Sequence, residues 1–134
     1  MRKIFALLLI LLLCGCIIKG GEHKIKISSE VTPSRVSLAE RESLKIEVKV
    51  TNIGKQKEKI SVEVGGTQGL KISMPKVTTF VLKPDESRII TFPAELTEDA
   101  LPGDYVIDVK VSTESGDVVE DKAKVRVVEK KGLL

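Results

Sequence analysis

Residues 44–51, Leu-Lys-Ile-Glu-Val-Lys-Val-Thr, decide the fold class of this chain. Apolar side chains alternate with charged or polar ones at each position, which is the period of a β-strand with one buried face. The same period recurs between residues 25 and 127, with Gly, Pro, Asn or Asp separating the runs. No stretch of this region shows the 3.6-residue apolar period of a helix. The pattern predicts an all-β chain and a single antiparallel sandwich of about seven strands.

The apolar positions of these runs are predicted to face inward and form one core. The only two cysteines, Cys14 and Cys16, are too close together to stabilise the fold through a disulfide, so the hydrophobic core must stabilise it. Pro33 lies within the first run and predicts an edge strand that breaks and resumes. Pro84-Asp85 predicts a type I turn before the strand at residues 88–96. The predicted core consists of Leu44, Ile46, Val48, Ile60, Val62, Ile90, Phe92, Ile107, Val109, Val125 and Val127.

The N-terminal segment has the pattern of an export signal. Arg2 and Lys3 precede the apolar residues 4–13, a run shorter than the roughly 17–25 residues of a membrane-spanning helix. Leu13-Cys14-Gly15-Cys16 resembles a prokaryotic lipobox, which implies cleavage before Cys16 and lipid attachment to it. We therefore predict a signal peptide at residues 1–15, a lipid-anchored tether at 16–23 and a domain at 24–131. A retained membrane helix is the alternative.

Three segments resemble the immunoglobulin-like domains of prokaryotic surface proteins of the cell-adhesion-related (CARDB) type. They are VKVTNIGKQ at residues 48–56, LKPDESRIITF at 82–92 and LPGDYVIDVKV at 101–111. Asn52 and Gly54 match the turn after the second strand, residues 84–87 match the turn before the fifth, and Gly103 and Tyr105 match the entry to the sixth. The resemblance implies an immunoglobulin-like fold and a surface location, without a reaction. Tyr105 stands where a tyrosine corner would place its hydroxyl against the preceding loop.

The side chains that enzymes and metal sites need are scarce. His23 is the only histidine and lies in the predicted tether, which cannot hold a general base against a nucleophile. The same count excludes a zinc or copper site built from histidine and cysteine. We therefore predict no enzymatic activity, no cofactor and no metal. The one acidic concentration is predicted to be a solvated loop, and it comprises Glu95, Glu98, Asp99 and Asp104.

Charge also argues against nucleic acid as a partner. The chain has 22 basic and 19 acidic residues, and loss of Arg2 and Lys3 with the signal peptide leaves 20 basic residues against 19 acidic ones. Three basic residues alternate along the last strand, but without aromatic residues between them they are predicted to form the wet face of an edge strand. These residues are Lys122, Lys124 and Arg126.

The predicted tether keeps the domain close to the membrane. Its eight residues, 16–23, span at most about 26–29 Å when fully extended. The end of the sandwich where the first strand begins therefore faces the bilayer, and it also carries the loop and turn with Lys55, Lys57, Lys59 and Lys83. We predict that these lysines form a membrane-proximal basic loop, partly offset by Glu58, Glu114 and Asp117. The far end carries Glu98, Asp99 and Asp104 and is predicted to be acidic.

Together these features predict a lipid-anchored, extracytoplasmic immunoglobulin-like module for binding or structural support at the cell envelope. Its predicted partners are membrane lipid through Cys16 and an unknown envelope protein or polysaccharide. An accessory subunit of an envelope complex, anchored by a membrane helix, is one alternative. An exported binding domain of the protease-inhibitor type is the other.

Overall fold

A computed structural model describes residues 23–129, which form two β-sheets packed face to face. The predictions for the signal peptide, Cys16, most of the tether and the domain limit at residue 131 lie outside these residues. The described part of the chain contains no helix. Its nine strands are β1 (Ile25–Thr32), β2 (Arg35–Ser37), β3 (Leu44–Asn52), β4 (Glu58–Gly65), β5 (Leu70–Ile72), β6 (Thr79–Leu82), β7 (Ser87–Leu96), β8 (Gly103–Thr113) and β9 (Val118–Val128).

The order of the strands is that of an immunoglobulin-like sandwich. The first sheet has the order β1-β3-β7-β5, which corresponds to strands A-B-E-D. The second sheet has the order β2-β9-β8-β4-β6, and its centre β9-β8-β4 corresponds to G-F-C. All pairings are antiparallel except that of β2 with β9, which is parallel. The predicted all-β sandwich is confirmed.

The predicted number of strands was wrong, because about seven were expected and residues 23–129 contain nine. The first run breaks at Pro33, as predicted, and the Thr32–Pro33 peptide is cis. What the sequence did not indicate is that the chain changes sheets there. β1 pairs with β3 in the first sheet, whereas β2 pairs with β9 in the second. The short strands β5 and β6 add further to the count, one at the outer edge of each sheet.

The predicted core is confirmed. Every residue of the predicted core is buried, and Ile90, with 6% of its surface exposed, is the least buried of them. Ile46 on β3 and Ile107 on β8 are fully buried in opposite sheets. Because side chains alternate between the two faces of a strand, this burial also fixes which residues point outward.

The turn between β6 and β7 differs from the prediction. Lys83, Pro84, Asp85 and Glu86 form it, and the Glu86 N–H donates to the Lys83 carbonyl at 3.0 Å. Asp85, at the third position, has a φ of 66°. A type II turn requires a positive φ at that position and a type I turn a negative one. The predicted type I turn was therefore wrong, since Asp85 accepts the left-handed conformation that aspartate tolerates.

Candidate functional site

The start of β1, the β3–β4 loop and the two turns β6–β7 and β8–β9 meet at one end of the sandwich. The Ile53 N–H donates to the Lys24 carbonyl at 2.9 Å, and the Asp85 N–H donates to the Asn52 carbonyl at 2.7 Å. We term this region the N-terminal end. It is the place where the described chain begins, so any anchor that precedes residue 23 attaches to the domain here.

The buried side chain of Asn52 links the β3–β4 loop to β6. It is fully buried, and its Nδ2 donates to the carbonyls of Gln56, at 2.8 Å, and Leu82, at 2.9 Å. Its Oδ1 accepts the Gly54 N–H at 2.9 Å. One amide side chain thus satisfies groups of the β3–β4 loop and of β6. The sequence placed Asn52 and Gly54 in a turn, but it did not indicate that the amide would be buried.

Asp117 fastens the entering chain to the domain. Its Oδ1 accepts a hydrogen bond from His23 Nδ1 at 2.8 Å, and its Oδ2 accepts the Lys24 N–H, also at 2.8 Å. Only 15% of the Asp117 side chain is exposed, against 43% of the His23 side chain. Burial of the carboxylate acts to raise the pKa of Asp117, but the hydrogen bonds from His23 and from the Lys24 N–H outweigh it and hold that pKa below its usual value.

This contact, termed the Asp117 clamp, was missed by sequence reasoning. His23 was assigned to a tether outside any packed contact, whereas its ring is bonded to a residue 94 positions away. No local pattern indicates a partner at that separation. Because His23 is held, only residues 16–22 of the predicted tether precede this contact.

The clamp continues into a chain of polar groups, of which Thr113 and Glu58 are buried. The Asp117 N–H donates to Thr113 Oγ1 at 3.0 Å, and Thr113 Oγ1 lies 2.9 Å from Ser115 Oγ. Ser115 Oγ donates to Glu58 Oε1 at 2.9 Å, and Glu58 is only 6% exposed. Lys24 Nζ approaches the other Glu58 oxygen at 4.0 Å. The clamp therefore links the start of the chain to β4, and it gives the buried Glu58 carboxylate its partners.

The predicted basic residues Lys55, Lys57, Lys59 and Lys83 are all exposed at the N-terminal end. No ion pair to them is present within residues 23–129. However, with Lys24 they number five, and five carboxylates lie at the same end of the sandwich. Two of these, Glu58 and Asp117, belong to the network described above, and the others are Asp85, Glu86 and Glu114. The loop lysines thus lie in a mixed environment rather than a purely basic one.

The predicted acidic residues Glu95, Glu98, Asp99 and Asp104 are all exposed, in and around the β7–β8 loop. Asp104 pairs with Arg126, with 3.0 Å between Asp104 Oδ1 and Arg126 Nε. The hydroxyl of Thr97 donates to Asp99 and lowers the pKa of that carboxyl. Within residues 23–129 no group of three or more His, Cys, Asp or Glu side chains is arranged to hold a metal ion.

Tyr105 forms the predicted tyrosine corner. Its hydroxyl donates to the Leu101 carbonyl at 2.6 Å and accepts the Leu101 N–H at 2.9 Å. Gly69 lies against the ring: with a φ of 91°, its position would bring a Cβ within 2.8 Å of the Tyr105 hydroxyl. This position favours glycine for both its conformation and the lack of space.

The outer face of the second sheet is a ladder of opposite charges. Lys122 Nζ lies 2.7 Å from Asp108 Oδ1, and Val106 opposite Lys124 separates this ion pair from the Asp104–Arg126 pair. The hydrogen bond and the negative charge of Asp108 raise the pKa of Lys122 above its usual value. The predicted wet face of the last strand is therefore confirmed for Lys122, Lys124 and Arg126, which are all exposed. The strand itself is an edge for only part of its length, because β2 pairs with residues 126–128.

The outer face of the first sheet has a different composition near the N-terminal end. A groove of about 500 Å³ lies there, and no carboxylate is among the described residues that line it. Lys26 and Lys49 supply its charge, and Ile53, with 52% of its surface exposed, forms its apolar wall. Sequence reasoning missed this patch, because its members come from three different segments. The register of β3 against β1 and β7 is what places them side by side.

The sheet order and the tyrosine corner define the class of protein as an immunoglobulin-like β-sandwich. Within residues 23–129 no helix has the length and apolar character to cross a membrane. No protein-family model and no curated protein matches the chain. Solved structures do match, at identities that show the fold alone.

Three of these structures illustrate the range of proteins that share the fold. A FixG-related protein from Vibrio parahaemolyticus is 15% identical with a TM-score of 0.59, over 79% of this chain and 98% of that one. The native conformation of Escherichia coli alpha-2-macroglobulin is 16% identical with a TM-score of 0.62, over 77% of this chain and only 7% of that one. The cupredoxin domain of amoB from Nitrosocaldus yellowstonii is 12% identical with a TM-score of 0.56, over 84% of this chain and 93% of that one.

Proposed function

We propose that this protein is a lipid-anchored, extracytoplasmic immunoglobulin-like module that serves binding or structural support at the cell envelope. In this proposal Cys16 carries the lipid, the protein lies on the outer side of the cell membrane, and its role is not enzymatic. An envelope protein or polysaccharide is the partner. The sequence around Gly15-Cys16 and the immunoglobulin-like fold support the proposal.

The Asp117 clamp is the structural observation that supports it most. A domain that is anchored through its N-terminus needs that terminus to leave from a fixed point if it is to face the membrane in one orientation. Residues 16–22 can span at most about 23–25 Å beyond the clamp. In a lipidated protein, the domain would therefore stand close to the bilayer with its N-terminal end toward it.

Replacement of Cys16 by serine tests the anchor. In the wild-type protein we expect a mature N-terminus at Cys16 with the added mass of lipid, and flotation with membranes. The Cys16→Ser variant should remain unprocessed or become soluble. A Cys14→Ser variant is the matched control and should behave as the wild type. Wild-type protein that keeps residues 1–15 without lipid would favour the helix-anchored accessory subunit instead.

A second candidate function is an exported binding domain of the protease-inhibitor type. The likeness to part of E. coli alpha-2-macroglobulin is the observation that favours it, and that likeness includes a form activated by porcine elastase, at 18% identity and a TM-score of 0.56. The chain corresponds to 9% of that protein. Inhibition or capture of elastase by the purified chain would support this candidate, and unchanged elastase activity with no complex would remove it.

A further inference from the structure

We propose that the outer face of the first sheet, near the N-terminal end, docks on an anionic lipid bilayer. The bilayer is the one in which Cys16 is anchored, so this inference rests on the proposed function. The docking face consists of Lys26 on β1, Lys49 on β3, Ile53 just after β3 and Ile89 on β7. It differs from the predicted loop lysines, because it lies on a sheet rather than on the loops.

The register of the first sheet brings these four residues together. β1 pairs with β3 so that Ser28 lies opposite Lys49, and β3 pairs with β7 so that Lys49 lies opposite Ile89. Ile53 and Ile89 expose 52% and 56% of their surfaces. Two large apolar side chains and two lysines thus point outward from neighbouring strands, which is the composition of an interfacial membrane contact.

Charge complementarity favours an anionic surface. Lys26 and Lys49 are exposed, and no ion pair to either one is present within residues 23–129. The nearest carboxylates on this face are Glu30 and Glu47, which lie opposite each other and line a groove together with Lys49 and Ile89. Glu47 lies two residues further from the N-terminal end than Lys49. An anionic bilayer would attract the half of the sheet next to the anchor and repel the other half. The domain is therefore expected to lean on the membrane with its first sheet.

The length of the anchor places this face within reach. Lys26 is the third residue after His23, which the Asp117 clamp holds to the domain. Residues 16–22 allow at most about 23–25 Å between the lipid and the clamp. A contact of only two lysines and two isoleucines is weak by itself. Tethering makes the contact intramolecular, so weak attraction is sufficient to populate it.

Tryptophan fluorescence can test which face meets the lipid, since the chain contains no tryptophan. The mature lipidated protein, which begins at Cys16, is reconstituted in vesicles of phosphatidylcholine, alone or with phosphatidylglycerol. Ile89→Trp reports the docking face, and Val106→Trp reports the outer face of the second sheet, where Val106 is 38% exposed. We expect a blue shift for Ile89→Trp only, in the phosphatidylglycerol vesicles at low salt, and its loss at high salt.

Lysine substitutions test the charge contribution. In the Ile89→Trp protein, Lys26→Gln or Lys49→Gln should lower the ratio of docked to undocked protein about fivefold each, and both together about thirtyfold. The matched pair Lys122→Gln and Lys124→Gln, on the second sheet, should leave this ratio unchanged. Equal losses from the two pairs would overturn the proposal.

The remaining outcomes separate the docking face from the anchor. Flotation with phosphatidylcholine vesicles depends on the lipid at Cys16 alone, and its failure would refute the anchor together with this inference. Protein that floats but shows the same emission at positions 89 and 106 would refute only the docking face. A blue shift in detergent that grows with protein concentration would assign the face to a second copy of the chain and overturn the membrane contact.

Discussion

The two outer faces of the sandwich use similar residues in opposite ways. On the second sheet, each of two cations has a carboxylate as its cross-strand neighbour, at 2.7 Å for Lys122–Asp108 and at 3.0 Å for Arg126–Asp104. On the first sheet near the N-terminal end, Lys26 and Lys49 have serine, threonine and isoleucine as neighbours instead. Glu30 and Glu47 lie near Lys49 on the same face, but neither forms an ion pair with it within residues 23–129. Charges that are paired within a face present little net field to a partner, whereas lysines without an ion-pair partner present more.

This contrast shows why net charge alone is a poor guide to partners for this chain. The whole sequence has a formal charge of only +3. This small total does not show that cations pair with carboxylates on the second sheet, whereas Lys26 and Lys49 on the first sheet have no ion pair within the described residues. The strand register determines which charged residues lie on each face. The register is therefore the first thing to test, since a shift of one residue would exchange the buried and exposed sides of every strand.

The largest expected effect comes from the buried residues that define the two faces. Ile46→Ala, in the first sheet, and Ile107→Ala, under the paired face, should each lower the free energy of unfolding by about 2–5 kcal/mol, because both side chains are fully buried and leave cavities. Denaturant unfolding measures this loss.

The matched controls are the exposed neighbours on the same sheets. Ile89→Ala and Val106→Ala remove side chains that are 56% and 38% exposed, so each should have a much smaller effect. If Ile89→Ala cost as much as Ile46→Ala, the docking face would be buried and the contrast between the faces would be wrong.

Features of the fold that depend on neighbouring residues could be predicted from the sequence, whereas features that depend on residues far apart in the chain could not. Alternation within a strand is local, so the core from Leu44 to Val127, the sandwich and the tyrosine corner of Tyr105 could all be predicted. The change of sheet at Pro33 could not, because the choice of partner strand depends on residues far along the chain. The turn type was also wrong, since Pro84 is compatible with types I and II and only the φ of Asp85 separates them.

The candidate surface was predicted less well for the same reason. Lys55, Lys57 and Lys59 are close in sequence, so they were easy to notice as a basic loop. Glu58, Glu114 and Asp117 were predicted to offset part of this charge, and the structure adds Asp85 and Glu86 at the same end. Lys26, Lys49 and Ile89 are likewise brought together by strand pairing alone.

A smaller effect is expected from the Asp117 clamp, which fixes the chain beside the docking face. Asp117→Asn should weaken the hydrogen bonds from His23 and from the Lys24 N–H, and lower the free energy of unfolding at neutral pH by about 1–2 kcal/mol. Asp108→Asn removes the same charge from a side chain that is 71% exposed, and it should cost less.

The clamp also predicts a pH dependence. Because the pKa of Asp117 is lowered in the folded protein, its contribution is complete above the ordinary aspartate value of 3.8 and is lost as the pH falls through the lower, folded value. The stability difference between wild type and Asp117→Asn should therefore shrink as the pH falls below 3.8. A difference that persists unchanged under strong acid would show that the carboxylate charge does not matter.

The smallest expected effect comes from a comparison of Lys122, which has an ion-pair partner, with Lys49, which has none within the described residues. Lys122→Gln breaks the pair with Asp108, but both side chains are more than half exposed, at 67% and 71%, and water replaces the lost contact. We expect no resolvable change in a thermal melt and no change in membrane docking. Lys49→Gln should also leave the melt unchanged, because Lys49 has no ion pair within the described residues, yet it should reduce docking on phosphatidylglycerol vesicles. The informative result is therefore the combination of equal melts and unequal docking. If Lys122→Gln reduced docking as much as Lys49→Gln, the bilayer would be responding to the total charge of the domain, and the difference between the two faces would have no consequence for binding.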